Sequence, residues 1–284
     1  MTDPCVAAAP VVLDQDRKLK PAVAALLRAA GEQLVLPRFQ KLQASDIKTK
    51  SSDDDLVTIV DHETEAWLTQ RLAALKPVPV IGEEAASMSK NDLPVEERGF
   101  AWTLDPLDGT RNFVRGKPAF CSMVALLLNG RPIQSWIWQP LGRQLFYAAA
   151  DRGAYCIDDA GERRLYCKAQ DADITKLAGT GNVAGLDEPQ KSRVKAKLTQ
   201  LAGRHFNGSA GIQACMIVEG AADFMMHGRA TPWDHAPVDL LCREAGGFAA
   251  GLEHGQRFHL GLDGPFMATS SKAGWDCVRA AIWA

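Results

Sequence analysis

The chain has 284 residues, 46% hydrophobic and 23% charged, a make-up that allows a sizeable buried core and excludes disorder and a fibre. Its 32 Lys and Arg against 34 Asp and Glu leave a formal charge of −2; with no long basic run to follow a phosphate backbone, nucleic acid is not expected as a ligand. The seven cysteines, at 5, 121, 156, 167, 215, 242 and 277, form neither a CxxC pair nor a His/Cys cluster, which fits reduced core thiols and argues against a zinc or redox motif.

Residues 1–14 read as a loosely ordered leader. Its acidic start, MTDPC, lacks the basic n-region of a secretory signal. The longest apolar stretch near the middle, Met123 to Leu128, is too short to cross a bilayer, so a cytoplasmic protein with no membrane contact is expected. Leu19, Val23, Leu26, Leu27, Ala30 and Leu34 recur at steps of three and four, predicting a helix that stops near Pro37. A polar stretch from Ser45 to Asp55 separates it from a second helix carrying Thr64, Leu68, Leu72 and Leu75, which ends before Pro77. VPVIGEE then reads as a short strand finishing in Glu83 and Glu84, and Ser87 to Arg98 as a loop. FAWTLD is a strand broken at the turn dipeptide Asp105-Pro106; Cys121–Leu128, Ile133–Trp138 and Leu145–Ala150 follow as β segments around NGRP and PLGR. Trp136 and Trp138 share one face of their strand and suit a core.

The second half alternates strand and helix. KLAGTG is a strand, residues 187–202 a helix, a short strand lies by His205, Ser209 to Glu219 is a helix and ADFMM a strand. A helix from Pro232 to Ala245, strands around Phe248 and Phe266–Thr269, and a last helix from Ala273 close the chain. Layered α/β (α+β) architecture follows, in two halves: 15–150 with helices against an antiparallel sheet, and 151–284 with a more even alternation.

Acids gather at predicted element ends: Asp61, Glu83 with Glu84, Asp105 with Asp108, and Asp234. In Asp105-Pro106-Leu107-Asp108-Gly109-Thr110, Pro106 holds Asp105 extended while Gly109 permits a sharp turn, so both acids can aim at one spot. Carboxylates that close repel unless a cation sits between them, and oxygen ligands with no nearby His or Cys favour Mg²⁺. The same segment also suits a solvated turn. Asp234, third in a helix with Thr231 as N-cap and Pro232 first, is either a dipole-favoured cap or a metal ligand. Gly208-Ser209-Ala210-Gly211 opens a helix whose small residues would admit an anion to free N–H groups, or Ser209 is an ordinary N-cap. Gly179-Thr180-Gly181 follows a strand, but Gly185 comes one residue too late for GxGxxG, and neither a GxSxG elbow nor a P-loop is present.

Read in order, KSSDDDLVTIVD at 50–61, IGEE at 81–84, WTLDPLDGTRNF at 102–113, GSA at 208–210 and WDHAPVDLLCREAGG at 233–247 resemble the inositol monophosphatase family of Mg²⁺-dependent, lithium-sensitive phosphatases. That resemblance implies an αβαβα sandwich, usually a homodimer, acting on a small phosphorylated metabolite. It implies Glu83, Asp105 and the Leu107 carbonyl as ligands of one Mg²⁺, and Asp105, Asp108 and Asp234 as ligands of a second, with Glu83 helping a third, weaker ion. Asp61 and Thr110 match the pair that orients and deprotonates the attacking water, with Glu83 beside them at the reaction centre. Gly109 and Thr110 match backbone phosphate contacts, and Lys50 a lysine on a mobile loop near the metals. Gly208, Ser209 and Ala210, with Asp234, match the wall that meets the substrate's hydroxyls. His227 stands where inositol-specific members place a glutamate that accepts hydrogen bonds from the ring; neutral His accepts one and protonated His none. It is either a substrate contact or a structural histidine at a strand end.

The expected reaction is hydrolysis of inositol monophosphate or a related sugar or polyol phosphate by water. Histidinol phosphate, fructose 1,6-bisphosphate, a nucleotide 3′-phosphate and NADP(H) are the alternatives among the family's substrates, and Arg111, Arg115, Lys117 and Arg229 would permit a second phosphate. A noncatalytic regulatory module of the same fold is the rival reading; it is disfavoured because convergent, uncompensated carboxylates are costly to keep.

Overall fold

A computed structural model describes residues 9–49, 56–88, 99–168, 173–199, 203–204 and 208–283. Lys50 and His205 lie outside them, as do residues 1–8. Helix α1 (Ala9–Ala30) already includes residues 9–14 of the expected leader. Its Leu19, Val23, Leu27 and Ala30 are buried, the stripe read from the sequence, and it unwinds through Gly31–Val35 and Leu36–Arg38 where Pro37 stops it. The antiparallel ribbon β1 (Ile47–Thr49) and β2 (Leu56–Thr58) leads into α2 (Ile59–Leu75). Then come β3 (Val80–Gly82), α3 (Glu83–Met88), β4 (Phe100–Asp108), α4 (Thr110–Val114), β5 (Cys121–Leu128), β6 (Arg131–Gln139) and β7 (Gln144–Ala149). Glu83 and Glu84 therefore open a helix rather than finish a strand.

Strands β8 (Gly153–Asp158) and β9 (Gly161–Leu165) extend the same sheet, so the expected division at residue 150 falls inside it. The seven strands run in the order β3-β4-β5-β6-β7-β8-β9, all neighbours antiparallel except β3 with β4. The rest of the chain gives β10 (Ala178–Asn182), α5 (Gln190–Leu198), β11 (Gly203–Arg204), α6 (Ala210–Val218), β12 (Phe224–His227), α7 (Pro232–Glu244), β13 (Phe248–Gly251), β14 (Phe266–Thr269) and α8 (Lys272–Ile282). A five-stranded sheet, β11-β10-β12-β14-β13, results.

Side-chain alternation stacks these parts. On β5, Val124 and Leu126 pack with Leu27 of α1 and Leu72 of α2, while Met123, Ala125 and Leu127 pack with Ala214 of α6 and Leu240 of α7. On β12, Met225 belongs to that middle layer, whereas Phe224 and Met226 meet Leu198 of α5 and Val278 of α8. The order is helices, seven-stranded sheet, helices, five-stranded sheet, helices: an αβαβα sandwich. Each large apolar side chain buried between layers contributes roughly 1.5–3 kcal/mol. Trp136 and Trp138 are core residues, and Trp136 Nε1 donates to the Lys20 carbonyl of α1 at 3.3 Å.

Candidate active site

Asp105 and Asp108 are three residues apart on β4, a spacing that points side chains to opposite faces of a regular strand. The pairing slips between them: Asp105 faces Met123 and Asp108 faces Cys121. One extra residue on β4 makes a bulge, which restores both carboxylates to one side. The strand expected to break at Asp105-Pro106 instead runs on to Asp108, because a bulge tolerates proline and Ser122 Oγ takes up the Pro106 carbonyl at 2.7 Å. Gly109 then turns the chain with φ 91°; a Cβ there would sit 2.7 Å from the Ala119 carbonyl oxygen. Thr110 follows as the first residue of α4.

Asp234 stands in the first turn of α7 after Pro232. Asp105, Asp108 and Asp234 each offer an oxygen within 4.8 Å of the others. Glu83 begins α3, and the parallel register of Gly82 with Leu104 brings it to the end of β4. Glu65 on α2 fixes that helix start, its two carboxylate oxygens accepting the Glu84 and Ala85 N–H groups at 2.8 Å each. Burial, then the charges of Glu83, Asp108 and Asp234, hold the Asp105 carboxyl well above the usual carboxylate range. Desolvation followed by Asp108 and Glu83 does the same to Asp234. Acids crowded this way are relieved by a bound cation, and an all-oxygen donor set fits a hard one such as Mg²⁺. The Leu107 carbonyl oxygen faces the same region, 3.0 Å from Thr110 Oγ1, and competes with Asp61 for that hydroxyl's one proton.

Asp108 answers the question of the anion at the start of α6. Its carboxylate accepts from the Ala210 N–H at 3.1 Å, the Gly211 N–H at 2.7 Å and Ser209 Oγ at 2.5 Å, while Ser209 Oγ also accepts the Ile212 N–H at 3.2 Å. The free N–H groups of that first turn are thus taken by Asp108 and the N-cap, not left for a ligand. Burial raises the Asp108 carboxyl and these donors pull it down. Gly208, Ser209 and Ala210 still form part of the cleft wall.

Asp61 lies in the first turn of α2, in a capping box with Thr58. Its Oδ2 accepts from the Thr58 N–H at 2.8 Å and the Thr58 hydroxyl at 2.5 Å, and its Oδ1 from Thr110 Oγ1 at 2.8 Å. Burial raises its pKa to about 6 against the hydrogen bonds from Thr58 and Thr110. Thr110 therefore connects an ionisable carboxylate to the rim of the acidic cluster.

A cleft of about 420 Å³ gathers Glu83, Asp108, Gly109, Thr110, Arg111, Asn182, Gly208, Ser209, Ala210, Gln213, His227, Arg229 and Asp234 in its wall. His227 ends β12 and is tied into a chain. The Thr231 N–H donates to His235 Nδ1 at 2.9 Å, His235 Nε2 meets His227 Nδ1 at 3.1 Å, and His227 Nε2 meets Gln213 Oε1 at 3.0 Å. His235 Nδ1 also lies 3.1 Å from the Thr231 carbonyl; with the proton on His235 Nε2, as the Thr231 N–H contact favours, His227 Nδ1 accepts and His227 Nε2 donates to Gln213, and in either tautomer both ring nitrogens of His227 are engaged. Burial lowers the His227 pKa to about 4 and, with His227 as neighbour, holds that of His235 well below the ordinary imidazole value.

Sequence reasoning did not find Glu65, the Asp108–α6 contact or the His235–His227–Gln213 chain. Only the spacing Thr58–Asp61, a capping-box signature, was there to be read locally.

The family model described as the inositol monophosphatase family matches residues 14–280. An inositol-1-monophosphatase of Mycobacterium bovis is 32% identical over 203 residues, 70% of either chain. The Nus factor SuhB of Escherichia coli is 30% identical over 243 residues, 82% of this chain and 85% of that one. A crystal structure of an IMPase/NADP phosphatase complexed with Mg²⁺ and phosphate superposes with a TM-score of 0.78 at 21% identity, covering 94% of this chain and 96% of that one. The same fold and a family match over almost the whole length agree, and the chain belongs to the inositol monophosphatase family.

Proposed function

We propose that the protein is a Mg²⁺-dependent phosphomonoesterase that hydrolyses a small phosphorylated metabolite, an inositol monophosphate or related sugar phosphate, by direct attack of water. The meeting of Asp105, Asp108 and Asp234 within 4.8 Å at the wall of one cleft carries the reading. Glu83, Asp105, the Leu107 carbonyl, Asp108 and Asp234 would hold the ions. Bound Mg²⁺ would supply Lewis acidity, neutralising phosphate oxygens and lowering the pKa of water. Thr110 accepts a water proton at Oγ1 as its own passes to Asp61 Oδ1, 2.8 Å away, so Asp61 acts as the general base. The Gly109 and Thr110 N–H groups hold the phosphate, and the Gly208–Ala210 wall and Asp234 border the alcohol part of the ester. His227 shapes that wall without a spare acceptor, both ring nitrogens being engaged. A cytoplasmic homodimer belongs to the same proposal.

Phosphate release measured over inositol phosphates, fructose 1,6-bisphosphate, histidinol phosphate, adenosine 3′,5′-bisphosphate and NADP, with Mg²⁺ or EDTA, tests it. Release that needs Mg²⁺ and disappears in Asp105→Asn is expected. The name Nus factor carried by relatives from Xylella fastidiosa and Escherichia coli favours a second reading, a regulatory protein of this fold. Absence of release across the panel would favour that reading, and release indifferent to EDTA would overturn the Mg²⁺ dependence.

A further inference from the structure

Among the described residues, every carboxylate in the cleft wall belongs to the cation-holding group: Glu83, Asp108 and Asp234. What remains ionisable there is Arg111, His227 and Arg229. His227 offers neither charge nor a spare acceptor, since Gln213 and His235 engage both its nitrogens. Arg229 is exposed, and no described residue pairs with it. Its stem is nonetheless seated. Gly185, at φ 89°, passes so close that a Cβ there would lie 2.6 Å from Arg229 Cβ, so the wall is shaped around the root of this arginine.

We propose, on the phosphatase reading above, that Arg229 binds a second anionic group of the substrate, so that the cleft prefers phosphate esters whose alcohol part bears another phosphate or a carboxylate over neutral polyol monophosphates. With the acids neutralised by cations, the described residues of the wall around the alcohol part carry no charge apart from the arginines, and none of these residues repels a second anion. A guanidinium presents a planar fork that matches either a carboxylate or a phosphate. A cleft of about 420 Å³ has room for a small sugar bisphosphate.

Calorimetric titration in Mg²⁺ tests this with phosphonate analogues, whose P–C bond does not hydrolyse, in two pairs: fructose 1,6-bisphosphate against fructose 1-phosphate, and 3-phosphoglycerate against glycerol phosphate. Kinetics on the parent esters run in parallel. The doubly anionic member of at least one pair should bind about tenfold tighter, as a charge-assisted contact allows; the pair that responds tells phosphate from carboxylate. That preference should fall to about twofold or less in Arg229→Gln, be partly kept in Arg229→Lys and shrink as salt is raised. Equal affinity within both pairs, a preference unchanged in Arg229→Gln, or no binding by any analogue would overturn the proposal. An Arg229-dependent preference without turnover of any ester would instead overturn the phosphatase reading and leave the anion site standing.

Discussion

Gly211→Ala links the core to the cation site and has an unusual sign. Alanine in place of glycine inside a helix normally stabilises by roughly 0.5–1 kcal/mol. Here the new Cβ would lie 2.4 Å from Cys121 Sγ, 2.6 Å from Met123 Sδ and 3.1 Å from Ile137 Cγ2. Those neighbours are fully buried in the layer between the sheets, so α6 must retreat, at a typical overpacking cost of about 1–3 kcal/mol. Retreat also lengthens the 2.7 Å hydrogen bond from the Gly211 N–H to Asp108, a charged interaction worth about 1.5–3 kcal/mol. The net expectation is a loss of about 2–4 kcal/mol, with weaker Mg²⁺ binding because Asp108 loses a positioning donor. Urea denaturation in EDTA measures the first effect and calorimetric Mg²⁺ titration the second. A variant as stable as the parent or more so, with unchanged Mg²⁺ affinity, would refute the coupling of α6 to the site.

Three other outcomes follow. Because Asp61 must be ionised to accept a proton and its pKa is held at about 6, kcat/KM should fall about tenfold per pH unit on an acid limb centred at or below that value, nearby bound cations drawing it lower; Asp61→Asn should cost about 10²–10⁴ in kcat. Asp105, Asp108 and Asp234 have folded-state carboxyls raised above their ordinary value, so without metal their contribution to stability is full at low pH and is lost as pH rises through the raised range. Mg²⁺ should therefore raise Tm more at pH 8 than at pH 5, and an equal increment in scanning calorimetry would contradict that sign. Gly109→Ala meets both a positive φ and a backbone carbonyl at 2.7 Å and should lose about 1–3 kcal/mol in urea titration.

Much of the layering was legible because it is local. The apolar stripe from Leu19 to Ala30, the short apolar run Cys121–Leu128 and the turns NGRP and PLGR each announce an element within a few residues. Strands β8 and β9 escaped notice: GAYCID is short and its apolar residues run together without alternation, GERRL has Leu165 as its one apolar residue, and both strands are held in the sheet by pairing with β7 and with each other. The acids were legible as a set through their order along the chain, yet the means by which they meet was not. A bulge at Asp105–Asp108 depends on the register with β5, which no stretch of β4 encodes alone. The contact of Asp108 with the start of α6 joins residues 101 to 103 positions apart, so the glycine-rich helix start read as open to a ligand. The chain from Gln213 through His227 to His235 likewise needs two helices and a strand to be assembled first.

The most direct test is crystallographic. Crystals soaked in Mn²⁺, a hard divalent stand-in for Mg²⁺ that scatters anomalously, should show anomalous peaks about 2.1 Å from carboxylate oxygens of Asp105, Asp108 and Asp234, with Glu83 and the Leu107 carbonyl beside them. Carboxylates of that trio left without anomalous density at saturating Mn²⁺ would contradict the cation cradle and the hydrolytic chemistry built on it.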